Sequence, residues 1–165
     1  MIRWAGFFWL VAFWAVAAPP AEVQKSLGAV SLSGSADIRF FGFYLYKADL
    51  WQSGKGFALT LSYKRAFSAE ELSTASIKEI ARMEKSELSK FSGLEPELRG
   101  CLADVSPGDR ITGVSLDSEN AKFYFNGQPR CAISYPEFRD RFFGIWLGPN
   151  TRDPKSRDRL LGREK

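Results

Sequence analysis

Residues 38–51 read IRFFGFYLYKADLW and residues 57–64 read FALTLSYK, with Gly54 and Gly56 marking a turn between them. The first stretch is dense in aromatic side chains, which suit a pleated surface. Its first half is apolar at odd and even positions alike, the pattern of a strand covered on both faces. In the second, Phe57, Leu59, Leu61 and Tyr63 alternate with Ala58, Thr60, Ser62 and Lys64. That period of two predicts a half-buried strand with one face inward. Upstream, Ala21 to Leu27 is a short lead-in segment, and Ala29 to Ser33 alternates partially before ending at Gly34.

The period changes at Ser68. Ser68-Ala69-Glu70-Glu71 is a capping-box pattern, and Ile77, Ile80, Ala81, Glu84, Leu88 and Phe91 then recur at helical spacing. A helix from about 69 to 91 is expected, ended by Gly93, with a short second helix from Pro96 to Leu102. Pro107-Gly108-Asp109 reads as a turn. Ile111–Leu116 and Lys122–Phe125 read as strands around a turn at Asp117–Asn120, and Asn126-Gly127 as a tight turn into a strand ending near Tyr135. Pro136 suits a helix start, and Phe138, Phe142, Ile145 and Trp146 form one apolar face. Pro154 opens a last short helix closed by Gly162. Strands, helix, strands, helix is the order of an α+β domain, an antiparallel sheet with helices packed on it.

The first eighteen residues, MIRWAGFFWLVAFWAVAA, have another character. Arg3 is a short positive region, Trp4 to Val16 an uncharged apolar core, and Ala15-Val16-Ala17 a small-x-small cleavage signal before Pro19-Pro20. These are the parts of a secretory signal peptide, cut near Ala17 or Ala18. The competing reading is an uncleaved N-terminal anchor, favoured by Trp4, Trp9 and Trp14. Cleavage leaves one domain over 19–165, periplasmic or secreted, with no stable membrane span. In an oxidising compartment Cys101 and Cys131 are expected to pair, which on chain-entropy grounds contributes ~3–4 kcal/mol. Two buried thiols are the alternative.

The net charge of +4 is too small to argue for nucleic acid. The basic run Arg152 to Lys165 is broken by Asp153, Asp158 and Glu164, as in a solvated surface segment. The chain has no histidine, which removes the commonest general base and metal ligand. No metal and no cofactor are implied.

Five ordered blocks resemble the chalcone isomerase-like family, in its exported bacterial branch. They are Gly34, Arg39, Gly42, Tyr46, Ala48 and Leu50-Trp51; Ala58-Leu59 with Tyr63 and Arg65; Gly108-Asp109-Arg110-Ile111-Thr112-Gly113; Phe125-Asn126-Gly127; and Phe142 to Gly148 with Thr151 and Arg159-Leu160-Leu161-Gly162. The resemblance implies an open-faced β-sandwich, a large antiparallel sheet with helices over one face. The family's enzymes place an arginine on an early strand and a threonine about a dozen residues later, on a strand reading Thr-x-x-Gly-x-Tyr-Leu. Here Gly42-Phe43-Tyr44-Leu45 matches the end of that pattern, the threonine position holds Arg39, and the arginine position falls near Leu27. A shifted register makes Arg39 the arginine and loses the threonine.

Arg39, Tyr44 and Tyr46 are the candidate ligand-binding residues. A charge in an apolar strand is costly unless paired. Arg39 therefore faces a pocket and a carboxylate or phenolate ligand, sits in an internal ion pair, with Glu84 the candidate acid, or faces solvent. Tyr44 and Tyr46, two apart, share a strand face and either line that pocket or belong to the aromatic core. Asp109 and Asn126 read as turn residues, and Phe142, Phe143 and Trp146 as packing. No catalytic residue is assigned. The first functional reading is a non-catalytic protein that holds a fatty acid or similar amphipathic carboxylate in a sheet–helix cleft, as other proteins of this fold do. The second is an intramolecular lyase or isomerase on a chalcone-like substrate, using Tyr44, Tyr46 or Lys47 with Arg39. The third is a cell-envelope accessory protein acting on a protein partner through its basic tail.

Overall fold

A computed structural model describes residues 18–163; the expected leader lies almost wholly outside them. Six strands form one antiparallel sheet in sequence order: β1 (Ser31–Phe40), β2 (Phe43–Ser53), β3 (Gly56–Tyr63), β4 (Arg110–Ser115), β5 (Asn120–Phe125) and β6 (Gln128–Ser134). Four helices cover one face: α2 (Ala69–Glu84), α3 (Leu94–Cys101), α4 (Gly144–Leu147) and α5 (Pro154–Leu160). This is the expected α+β open-faced sandwich.

The aromatic run 38–51 is two strands rather than one. Phe41 and Gly42 both take positive φ, 47° and 80°, and turn the chain into a tight hairpin. Phe40, Phe41 and Phe43 at its tip are exposed, so this part of the run is covered on neither face. Gly34 does not end a strand. It lies within β1 because the carbonyls of Arg159 and Leu160 press against it; a Cβ there would sit 1.9 Å from the Arg159 oxygen. Gly162 meets the Ser33 carbonyl in the same way, so α5 seats directly on β1. Leu160 is fully buried, and Asp153 caps the helix by accepting from the Ser156 N–H at 3.0 Å. The basic run, as far as Gly162, is therefore part of the folded domain and not a merely solvated segment.

The capping box at Ser68 forms, with Ser68 Oγ accepting from Glu71 N and Glu71 Oε2 from Ser68 N. The helix stops at Glu84, short of the expected 91. Lys85 is left-handed at φ 51°, with its N–H on Arg82 O and the Ser86 N–H on Ala81 O, a helix end that usually takes glycine. Leu88 is consequently exposed, while Phe91 is buried from a separate 3₁₀ turn, Leu88–Phe91. The later helix is likewise irregular: a wide π turn over Arg139–Phe143 precedes α4, and it directs Phe138, Phe142 and Phe143 into one aromatic cluster with Phe123. Cys101 at the end of α3 and Cys131 on β6 form a disulfide, Cα–Cα 5.3 Å.

The lead-in segment is a helix, α1 (Ala21–Leu27), and it packs on the sheet face opposite the other four. Val23 and Leu27 meet Trp51, Ala58, Val114 and Tyr124 there. This explains why Ala58 and Thr60 are buried although β3 was expected to have one wet face. Glu22, 4% exposed, fixes α1 to β4: its carboxylate accepts from Arg110 Nε at 3.1 Å and Nη2 at 3.2 Å and from Thr112 Oγ1 at 3.1 Å. Burial pushes the Glu22 carboxyl up, but the Arg110 hydrogen bonds and charge, its own backbone N–H and the Thr112 hydroxyl outweigh burial and hold it below the ordinary 4.5. A lowered folded pKa contributes stability that is complete above the unfolded value and is lost as pH falls through the folded one. Unfolding free energy measured by chemical denaturation should therefore fall as pH drops below about 4.5, and Glu22→Gln should lessen that slope while costing about 1–2 kcal/mol at neutral pH, since Arg110 is partly solvated. An unchanged pH profile in Glu22→Gln would contradict this assignment.

Candidate functional site

Between the helix-side face of the sheet and the helices lies a cavity of about 360 Å³. Its floor is the alternating row that made β3 legible, Leu59, Leu61 and Tyr63, continued by Ile38 on β1. Leu72 and Ala75 of α2 form the roof, and Phe142 and Trp146 close one end. The volume lies in the range of small-molecule sites, ~300–1,000 Å³, and the walls are mainly apolar.

The three candidate residues do not share one face. In the β1–β2 ladder Ile38 pairs with Tyr46 and Arg39 with Tyr44, so Leu45 is an extra, bulged residue on β2. Two-residue spacing across a bulge no longer means the same side. Tyr46 lines the cavity; Tyr44 does not. Tyr44 instead stacks under the Arg39 guanidinium, 5.1 Å from ring centroid to Cζ, and donates its hydroxyl to Asp37 Oδ1 at 2.7 Å. Burial, then the Asp37 bond and charge, pushes the Tyr44 phenol up to about 12.

Arg39 is exposed and lines the cavity mouth. It makes no ion pair among the described residues. Glu84, the acid expected as its partner, binds Lys90 and Arg141 at 2.6 Å each. Of the other charges on the cavity wall, Glu79 accepts from Arg82 Nε at 3.0 Å and from Arg152 Nε at 2.7 Å, while Glu71 and Asp153 accept from backbone N–H groups at the starts of α2 and α5. Burial pushes the Glu79 carboxyl up, and those two arginines more than reverse it, so Glu79 stays ionised with both partners in place.

Deeper in, Trp146 Nε1 donates to Tyr46 Oη at 2.9 Å, joining residues 100 apart in sequence. Tyr63 pairs with Tyr46 in the ladder and is 2% exposed, and its hydroxyl makes no hydrogen bond among the described residues. Burial pushes the Tyr46 phenol up to about 12, with the Trp146 bond opposing, and pushes Tyr63 higher still. Both phenols therefore keep their protons at neutral pH and are neutral donors in an apolar wall. From the sequence, Trp146 reads as packing and Tyr63 as one of the inward row of β3. The signal for Tyr63 was its place in the Leu59-Leu61-Tyr63 alternation; no local signal marked Trp146.

Other expectations resolve as follows. Asp109 and Asn126 are turn residues: Asp109 accepts from Ser106 N, and Asn126 ties Arg110 N to Asp109. Lys47 lies between Tyr46 and Ala48, both of the helix-side core, and so points to the other face, where it pairs with Asp49 at 3.0 Å. Leu27, where the isomerase pattern would place an arginine, is buried in the α1 cluster across the sheet.

A six-stranded antiparallel meander roofed on one side by helices over an apolar cavity defines an open-faced sandwich with an internal ligand-sized hollow. This chain belongs to the chalcone isomerase-like family, whose model matches residues 45–162. Arg39 and Tyr44 precede the matched stretch. The chain is similar to a protein of Haemophilus influenzae described as uncharacterized, at 25% identity over 149 residues, 90% of this chain and 73% of that one. Its fold is similar to that of a fatty-acid binding protein of Arabidopsis thaliana, with a TM-score of 0.59 over 82% of this chain and 86% of that chain, at 9% identity.

The Tyr46–Trp146 bond bridges sheet and roof. Tyr46→Phe should leave the indole N–H unpaired and cost about 1–2 kcal/mol by chemical denaturation. In a double-mutant cycle with Trp146→Phe the two losses should be less than additive by about 1 kcal/mol. Strict additivity would show that the bond does not hold the roof.

Proposed function

We propose that this protein is an exported, non-catalytic binder of a fatty acid or a similar amphipathic carboxylate. The observation that carries the reading is an apolar cavity bordered at its mouth by Arg39, which makes no ion pair among the described residues. A hydrocarbon tail on Leu59, Leu61 and Leu72 would gain about 0.8 kcal/mol per buried methylene. A carboxylate on the guanidinium forms the charge-assisted bond that an unpaired arginine lacks. Tyr44 holds that guanidinium from beneath, and the Tyr46 and Tyr63 hydroxyls offer further donors within the same cavity. The fold likeness to a plant fatty-acid binding protein agrees with this reading. Export is supported by the apolar leader before Pro19 and by the Cys101–Cys131 disulfide, which suits an oxidising compartment.

Titration with straight-chain acids of increasing length, followed by thermal shift and calorimetry, tests it. Each added pair of methylenes should tighten binding by roughly tenfold until the cavity is full. Arg39→Ala should weaken the acids about 10- to 100-fold, leave methyl esters of the same length nearly unaffected, and change the ligand-free stability by less than about 0.5 kcal/mol. Absence of any shift across the series, or equal affinity for acids and esters, would overturn the reading.

A further inference from the structure

Four large hydrophobic side chains stand well exposed among the described residues, and three of them share one hairpin tip: Phe40 at 59%, Phe41 at 85% and Phe43 at 59%. The fourth, Leu88, stands apart at 49%. The Phe40 and Phe41 rings meet edge to face at 4.4 Å, so the tip is a preformed aromatic knob held by the Phe41-Gly42 turn. Cations ring its base. Arg65 lies 4.7 Å over the Phe43 ring, and Arg39 and Lys64 lie 5.1 and 5.9 Å over Tyr44. The nearby carboxylates are Asp37, held by the Tyr44 hydroxyl, and Asp49, paired with Lys47. Arg39, Lys47, Lys64 and Arg65 against Asp37 and Asp49 leave the ring positive.

We propose that this tip docks the protein on an anionic lipid bilayer. Aromatic rings favour the headgroup boundary, and Lys and Arg just behind them favour anionic lipid. A four-residue turn offers far less area than the ~1,000 Å² a specific protein–protein interface needs, whereas it suffices for shallow insertion into lipid. The placement also gives the knob a consequence. Arg39 and Phe40 line the cavity mouth, so docking turns that mouth toward the bilayer. On the ligand reading above, a fatty acid then passes between bilayer and cavity without crossing water, its carboxylate handed to Arg39 at the headgroup level. Docking itself does not depend on that reading.

The test uses the mature chain from Pro19 onward and ligand-free vesicles of phosphatidylcholine with or without phosphatidylglycerol. Amide exchange in the segment around 39–44 should slow on the mixed vesicles and not on phosphatidylcholine alone, and high salt should reverse the effect. Phe41→Ser with Phe43→Ser, both at exposed positions, should weaken vesicle partitioning about tenfold or more relative to the parent chain while leaving thermal stability and solution binding of fatty acids intact. Lys64→Glu with Arg65→Glu should abolish the preference for anionic lipid. Unslowed exchange at 39–44 on the mixed vesicles would overturn the proposal, as would protection there by a protein extract but not by lipid. If docking holds and fatty acids still fail to bind in solution, the ligand reading fails and the docking surface stands.

Discussion

One extra residue on a strand sets the geometry of the site. With Leu45 bulged out of the β1–β2 ladder, Tyr46 faces the helices while Tyr44, two positions earlier, faces away. A regular strand would have put both phenols on the same side. The bulge separates their tasks: Tyr46 accepts from Trp146 on the helix side, and Tyr44 lies beneath the Arg39 guanidinium on the outer face, where β1 borders the cavity mouth. Bulges re-aim side chains at the cost of one ladder position.

An open cavity costs stability, because its lining lacks contact partners on one side. Several features let the surrounding shell tolerate it. Phe123, Phe138, Phe142 and Phe143 fill the end of the layer beside the hollow. The Cys101–Cys131 bridge joins α3 to the far strand. α5 is clamped to β1 where Gly34 and Gly162 allow backbone to touch backbone. Glu22 and Arg110 secure the opposite face independently of the cavity. The helices are thus held at their edges, and the middle, under Leu72 and Ala75, can remain open.

Much of the architecture was legible because it depends on local periodicity. The alternation of 57–63, the capping box at Ser68, the Asn126-Gly127 turn and Pro154 each act within a few residues, and each appears where expected. Two of the departures share one cause: a residue doing something its type seldom does. Lys85 ends a helix in the place usually held by glycine, and Phe41 takes a positive φ that few side chains accept. The role of α1 was hidden because seven residues are too few to show a period. Within the site, Arg39 was readable as a charge out of place in an apolar run. Whether it paired with an acid depended on Glu84, which is taken by Lys90, six residues on, and by Arg141 from the distant π turn. Tyr63 and Trp146 carried no signal beyond packing, because their polar ends acquire meaning only when strand and helix are brought face to face.

The central claim is that a hydrocarbon chain occupies the space between Leu61 and Leu72 with its acid at Arg39. A crystal structure of the protein grown with a long-chain fatty acid tests it most directly. The account predicts a continuous tail along the β3 floor beneath α2, a carboxylate oxygen within hydrogen-bond reach of the Arg39 guanidinium, and Tyr44 still stacked below it. A hollow closed by inward movement of Leu72 and Trp146, with the acid absent or bound elsewhere, would contradict the account.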